Sequence, residues 1–264
     1  MTHSAIDNPF DAAFDAVAPG PELTERPTFP GGKGIVFHTD LEQGTDEWFA
    51  ARCGLLTASE MKLIVTPATL KECNNEKSRA HLYELLAQRI SGYVEPYYIG
   101  DEMLRGYEDE AEMRRLYSER FAPVHEVGFI TNDRWGFTIG YSPDGLVGEH
   151  GLIEGKSRRQ KFHVQAMIEN VAEQTIPAEF LVQVQTGLLV SERQWLDFMI
   201  YCGGMHMPVI RAYPDPKVQD AIVQIAGGFE RKLAAALKTY RELLVDPDVR
   251  LVPTERRVEE EMVI

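Results

Sequence analysis

The sequence predicts an α/β fold, a central mixed sheet flanked by helices, and three observations carry that expectation. Apolar runs of strand length cluster between residues 126 and 156, apolar residues at helical spacing fill the segments on both sides, and a further strand pattern, Trp195 to Tyr201, follows a second helical region.

The elements follow in chain order. Residues 1–34 hold PGPEL and RPTFPGGKG with few apolar clusters, so they read as a flexible leader, in which Phe10 and Phe14 can still form a short amphipathic turn that docks on a partner. Asp46 to Arg52 and Thr57 to Val65 read as two short helices joined at Gly54, with Thr57 or Ser59 as a cap that leaves backbone N–H groups for an anion. Lys77 to Ser91 carries Leu82, Leu85, Leu86 and Ile90 at helical spacing and stops at Gly92. Glu102 to Phe121 is a second long helix, with Met103, Leu104, Tyr107, Ala111, Met113, Leu116 and Tyr117 marking its inner side. Strands follow at Glu126 to Thr131, Gly136 to Tyr141 and Leu152 to Lys156. Helix returns at Val164 to Glu173 and Ala178 to Val190, and a long amphipathic helix spans Lys217 to Leu244. Residues 35–250 read as a single domain and 251–264 as an acidic tail.

Composition narrows the function. No charged and apolar signal segment opens the chain and no run reaches membrane-spanning length, which predicts a cytoplasmic protein. Cys53, Cys73 and Cys202 are widely spaced and form no CxxC pair, which argues against structural zinc and an iron–sulfur cluster and for buried thiols. His125, His163 and His206 lack ligand spacing. A net charge of −14 repels phosphate on average, so any nucleic-acid site requires local cations. Glu259, Glu260 and Glu261 place part of that charge in solvated exterior.

The stretch SPDGLVGEHGLIEGK, Ser142 to Lys156, carries the chemistry. A strand ending in Glu154, Gly155 and Lys156 puts Glu154 and Lys156 on one face and Ile153 on the other. A hairpin with its turn near Glu149 and His150 brings Asp144 beside Glu154. Two adjacent carboxylates repel unless a cation lies between them, and hard oxygen ligands suit Mg²⁺ or Mn²⁺. The same residues also fit an ordinary exposed hairpin in a chain with 41 Asp plus Glu.

The pattern of Asp144 followed by Glu154 and Lys156 resembles the PD-(D/E)xK nuclease signature, and in the form SPDG, strand, ExK it resembles the phage lambda exonuclease or YqaJ-type viral recombinase family. Three further blocks are similar to that family in the same order: EQGTDEWFAARCGLLTAS (Glu42 to Ser59), GYEDEA (Gly106 to Ala111) and LVQVQT (Leu181 to Thr186). The resemblance covers about residues 40–215. It implies a restriction-endonuclease-like core and a 5′-to-3′ exonuclease that leaves 3′ overhangs for a single-strand annealing protein. It further implies a phage or prophage setting and, in some members, a ring-shaped homotrimer around DNA.

The resemblance also implies site roles. Glu108 is selected from the acids Glu108, Asp109, Glu110 and Glu112, which periodicity alone leaves as a solvated face. Glu108, Asp144 and Glu154 would hold metal, with the main-chain carbonyl of Gly155 and two ions sharing Asp144, and Lys156 would orient or help deprotonate the attacking water. Arg52, Ser59, Ser142 and Gln183 would converge on a terminal 5′-phosphate, with Gln185 as the alternative amide. Taken singly they read as a surface charge, a helix cap, a turn residue and a buried amide. Arg158, Arg159 and Lys161 form a local basic patch, read either as DNA-backbone contacts or as a solvated loop. Trp48 and Trp195 read as core. Two other readings stand: a structure-specific or restriction-type endonuclease on the same core, and a non-catalytic scaffold that binds DNA ends.

Overall fold

The computed structural model describes residues 34–95 and 100–256. The leader, apart from Gly34, and Glu259, Glu260 and Glu261 lie outside the described residues.

Strands β1 (Ile35–His38), β2 (Leu56–Thr57), β4 (Phe129–Asn132) and β5 (Ile139–Tyr141) form one sheet in the order β1-β4-β5-β2. Strands β3 (Val124–His125), β6 (Gly145–Val147), β7 (Gly151–Ser157), β8 (Trp195–Tyr201) and β9 (Val209–Ala212) form a second in the order β3-β6-β7-β8-β9. The expected central sheet is thus divided in two, and both halves are mixed, because β2 runs parallel to β5 and β7 parallel to β8. The helices are α1 (Asp46–Arg52), α2 (Glu76–Ser91), α3 (Asp101–Arg120), α4 (Gln160–Ala166), α5 (Ala178–Ser191) and α6 (Pro216–Val245). A π turn at Met167–Val171 extends α4.

Local chemistry sets several helix ends. The Thr45 hydroxyl accepts from the Trp48 N–H at the start of α1, and the Asn75 side chain from the Ser78 N–H at the start of α2. Gly92 ends α2 in the left-handed region at φ 62°. Asp215 caps α6 by accepting from the Lys217 and Val218 N–H groups, with Pro216 in the first turn.

The expected helix over Thr57 to Val65 does not form. Leu56 and Thr57 instead pair with Ile139 and Gly140, and only Met61–Leu63 coil, as a 3-10 turn. Leu56, Met61, Ile64 and Val65 are all fully buried, so tertiary packing overrides the helical spacing. Ser59 is therefore not a helix cap.

β7 is the middle strand of its sheet, and Gly151 through Gly155 are buried throughout. Its two faces meet different cores. Ile153 packs with Met113 and Tyr117 of α3, while Leu152 joins the main core with Phe180 and Leu188 of α5 and Phe198 of β8. A fully buried Phe or Leu contributes about 1.5–3 kcal/mol. Trp48 and Trp195 are only half-buried, and each has an arginine over its ring, Arg52 at 4.2 Å and Arg211 at 3.9 Å.

Candidate active site

The hairpin of β6 and β7 forms as expected, with Gly145 paired to Ile153 and Val147 to Gly151. Because β6 begins at Gly145, Glu154 through Ser157 have no partner strand on that side, and an open edge results. Asp144 fills it: its Oδ2 accepts the Gly155 N–H at 2.6 Å. In an extended strand the N–H and C=O of one residue leave on the same side, so the Gly155 carbonyl faces the Asp144 edge as well.

Glu154 is 2% exposed and carries three donors. Lys156 Nζ donates to its Oε1 at 2.7 Å, Gln183 Nε2 to the same oxygen at 2.5 Å, and the Tyr141 hydroxyl to Oε2 at 2.9 Å. Burial, then the charges of Glu154 and Glu110, push the Asp144 carboxyl well above the usual range, against the pull of Lys156 and the Gly155 N–H. Burial works against the Lys156 charge, but Glu154, Asp144 and Glu110 outweigh it and hold the ammonium above its ordinary value. The Tyr141 phenol is raised by burial and by the same carboxylates, which keeps it a hydrogen-bond donor.

The helix acid at this site is Glu110, a correction to the expectation of Glu108. Glu108 is exposed, while Glu110 is half-buried and contributes to the fields at Asp144, Lys156 and Tyr141. Two residues of helix are about 200° of rotation, so the two acids cannot face one site. The expected inner side was out of phase: Leu104 and Tyr107 are about half exposed and Ala111 is exposed, whereas Met113 and Tyr117 are buried. The Met103 side chain lies outside those described. The phase of Met113 and Tyr117, three and seven positions on, was the signal that pointed to Glu110. Arg114 holds this acid in place, donating from Nη1 to Glu110 Oε1 at 2.8 Å and to the Asp144 main-chain oxygen at 3.0 Å. Burial raises the Glu110 carboxyl, with Arg114 opposing it.

Of the four residues expected around a terminal phosphate, Arg52 and Ser142 meet. Arg52 Nη1 donates to Ser142 Oγ at 3.1 Å, and Trp48 Nε1 donates to the same oxygen at 3.1 Å. Gln43 Nε2 donates to the Pro143 carbonyl at 2.9 Å, so the segment leading to Asp144 is pinned from α1 and the chain before it. Ser59 is exposed, with its hydroxyl 3.3 Å from Thr57 Oγ1. Gln183 lies on the Glu154 carboxylate. Gln185 points the other way, donating to the Tyr213 carbonyl and accepting from the Asp215 N–H, so it is excluded as the alternative amide.

Arg158, Arg159 and Lys161 line a cleft of about 520 Å³ together with Arg105, Asp109 and Cys202, at the end of β7. Arg158 also pairs with Glu179 at 2.6 Å. Arg105, which sequence reasoning missed, reaches Ser157 Oγ at 3.3 Å.

Among the described residues no three His, Cys, Asp or Glu side chains form a ready-made metal cage. The donor chemistry nevertheless fits a hard divalent cation: two buried carboxylates, with the charge of Glu154 disfavouring that of Asp144, a main-chain carbonyl on the same edge and a third acid nearby. No histidine or thiolate contributes to this set, which sets softer metals at a disadvantage.

The sequence pattern of the YqaJ-like viral recombinase domain matches residues 47–194, more than half of the chain and all four blocks of the site in whole or in part. The chain belongs to that family. Comparison with curated proteins gives no match. Among solved structures, this YqaJ-like chain is similar to the alkaline exonuclease LHK-Exo from Laribacter hongkongensis, at 30% identity and a TM-score of 0.65, over 75% of this chain and 97% of that one. The structure of LHK-Exo in complex with dAMP matches at the same identity and coverage, with a TM-score of 0.66. The two sheets and flanking helices are thus the nuclease-type core that the SPDG…ExK pattern implies.

Gly155 is set by α3. A Cβ there would lie 2.5 Å from Met113 Sδ and 2.7 Å from its Cε. Gly155→Val is expected to cost about 1–3 kcal/mol by overpacking, and Met113→Ala in the same chain to recover part of it. Urea unfolding of the single and double variants measures both; equal stability of Gly155→Val and the parent would show that Met113 yields freely.

Proposed function

We propose that this protein is a metal-dependent exonuclease that degrades one strand of linear duplex DNA from its 5′ end and leaves a 3′ overhang for recombination by strand annealing. The observation that carries the reading is the convergence of Asp144, Glu154 and Lys156 at the open edge of β7. It is supported by family membership and by the likeness to an alkaline exonuclease over nearly the whole of that protein.

In this reading Asp144, Glu154 and the Gly155 carbonyl would hold Mg²⁺ or Mn²⁺, two ions per site, with Glu110 at the margin. The metal supplies Lewis-acid activation of water and neutralises charge on the leaving oxygen. Lys156 keeps its ammonium charged beside Glu154, where it orients the water and offsets charge building on the phosphoryl group. Arg52, stacked on Trp48 and bonded to Ser142, places a guanidinium charge where a terminal phosphate would bind. The basic cleft of Arg105, Arg158, Arg159 and Lys161 continues from β7 and gives the duplex backbone a local positive path on a chain of net charge −14. A single-strand annealing partner, a ring-shaped homotrimer, a phage or prophage origin and a cytoplasmic setting complete the reading. No described helix is long and apolar enough to cross a membrane.

Digestion of linear duplex with and without a 5′-phosphate, each strand labelled at its end, tests the proposal against a closed circular control. Loss of the 5′-phosphorylated strand with the circle intact is expected. Cutting of the circle would instead assign an endonuclease, and binding without cleavage a scaffold. Within the site, Glu110→Gln is expected to lower kcat/KM by roughly 10–100-fold and Glu108→Gln by less than about twofold. The reverse order would return the helix acid to Glu108.

A further inference from the structure

We infer that Tyr141 is a positioning residue of this site, its hydroxyl fixing the Glu154 carboxylate in the orientation that receives a divalent cation. The inference rests on the metal-dependent reading above and concerns a residue that neither the motif nor the basic cleft includes.

Tyr141 is 1% exposed and ends β5, where it pairs with Ile130 in a layer of Leu56, Ile139 and Leu188. Packing there needs only the ring, and a phenylalanine would fill the same space. The hydroxyl is the one polar atom of that side chain, and a buried hydroxyl persists where it has a partner. Its partner is Glu154 Oε2 at 2.9 Å. The other carboxylate oxygen already holds Lys156 and Gln183, so Tyr141 alone, among the described contacts, fixes Oε2 and with it the plane of the carboxylate.

A second observation on another element supports this. A Cβ at Gly187 of α5 would lie 2.7 Å from Tyr141 Cζ and about as close to both neighbouring ring carbons. These atoms are the hydroxyl end of the ring. Helix α5 therefore leaves out a side chain where the end of the Tyr141 ring lies, while Gln183, one turn earlier, reaches the same carboxylate. Strands β5 and β7 belong to different sheets, so this hydrogen bond also ties the strand that leads into Ser142 to the strand that carries Lys156.

The test is Mn²⁺ binding to the DNA-free protein, by titration calorimetry, for the parent, Tyr141→Phe and Asp144→Asn, with circular dichroism to verify that each is folded. The parent is expected to bind and Asp144→Asn to fail. Tyr141→Phe should bind roughly tenfold more weakly, the size of one hydrogen bond to a charged group. A parallel rise in the Mn²⁺ concentration that half-saturates DNA cleavage is expected. Unchanged or tighter Mn²⁺ binding by Tyr141→Phe, with the parent and Asp144→Asn behaving as stated, overturns the role of Tyr141 and leaves the metal reading intact. A parent that binds no Mn²⁺ overturns both.

Discussion

Asp144→Asn is expected to abolish DNA hydrolysis, by at least about 10³-fold, and at the same time to stabilise the metal-free protein. The loss of activity follows, in the proposed metal-dependent reading, from removing a carboxylate charge that would hold the cation. The gain in stability follows from burial: Asp144 sits 8% exposed beside Glu154 and near Glu110, and its charge is disfavoured by all three circumstances. An asparagine keeps an oxygen for the Gly155 N–H and removes that charge.

The direction with pH is fixed by linkage. Folded Asp144 keeps its proton to higher pH than the unfolded chain, whose aspartates titrate near about 3.9. Between the two values the folded state binds more protons, so stability falls as pH rises through that window. Thermal unfolding in chelator at pH values from about 4 upward should show this fall in the parent and a shallower one in Asp144→Asn. At neutral pH the variant should melt higher by roughly 2–4 °C for each kcal/mol relieved. Added Mg²⁺ should stabilise the parent by mass action and leave the variant unmoved. A variant less stable than the parent in chelator would mean that Asp144 is a net structural asset, and the account of its burial would be wrong.

Asp197→Ala is expected to produce the largest loss of stability, about 3–5 kcal/mol, as in other cases where one partner of a buried pair is removed. Asp197 is 3% exposed on β8, opposite Ile153 of β7. Its Oδ2 accepts from the Tyr117 hydroxyl at 2.6 Å and from Arg211 Nη2 at 2.8 Å, and its Oδ1 from Arg211 Nε at 2.7 Å. The carboxylate therefore joins α3, β8 and β9 beside β7. Alanine leaves the Tyr117 phenol and the arginine fork without that acceptor in a desolvated place. A fall in melting temperature of roughly 6–20 °C follows for a chain of this size. Tyr117→Phe removes one hydrogen bond and should cost only about 1 kcal/mol. Comparable losses in the two variants would show that Arg211, stacked on Trp195, adapts without the carboxylate.

What could be read in the sequence was what depends on near neighbours in the chain. The β6–β7 hairpin, the shared face of Glu154 and Lys156, the stop at Gly92 and the strand Trp195–Tyr201 follow from alternation, glycine and turn chemistry within a few residues. The short strands β1, β2, β3 and β9 were missed for the opposite reason. Two to four residues carry too little periodicity, and Leu56–Thr57 became a strand only because β5 lies beside it.

By itself the sequence determined the acidic hairpin, the family and the kind of chemistry, because these rest on residue types at fixed spacing. Only the tertiary structure decided which helix acid faces that hairpin, because Leu104 and Tyr107 suggest one phase and the packed Met113 and Tyr117 impose another. It also decided that Tyr141 and Gln183, thirteen and twenty-nine residues from Glu154, close around the same carboxylate. A buried charge is held by donors brought from distant elements, and local spacing cannot report how those elements pack.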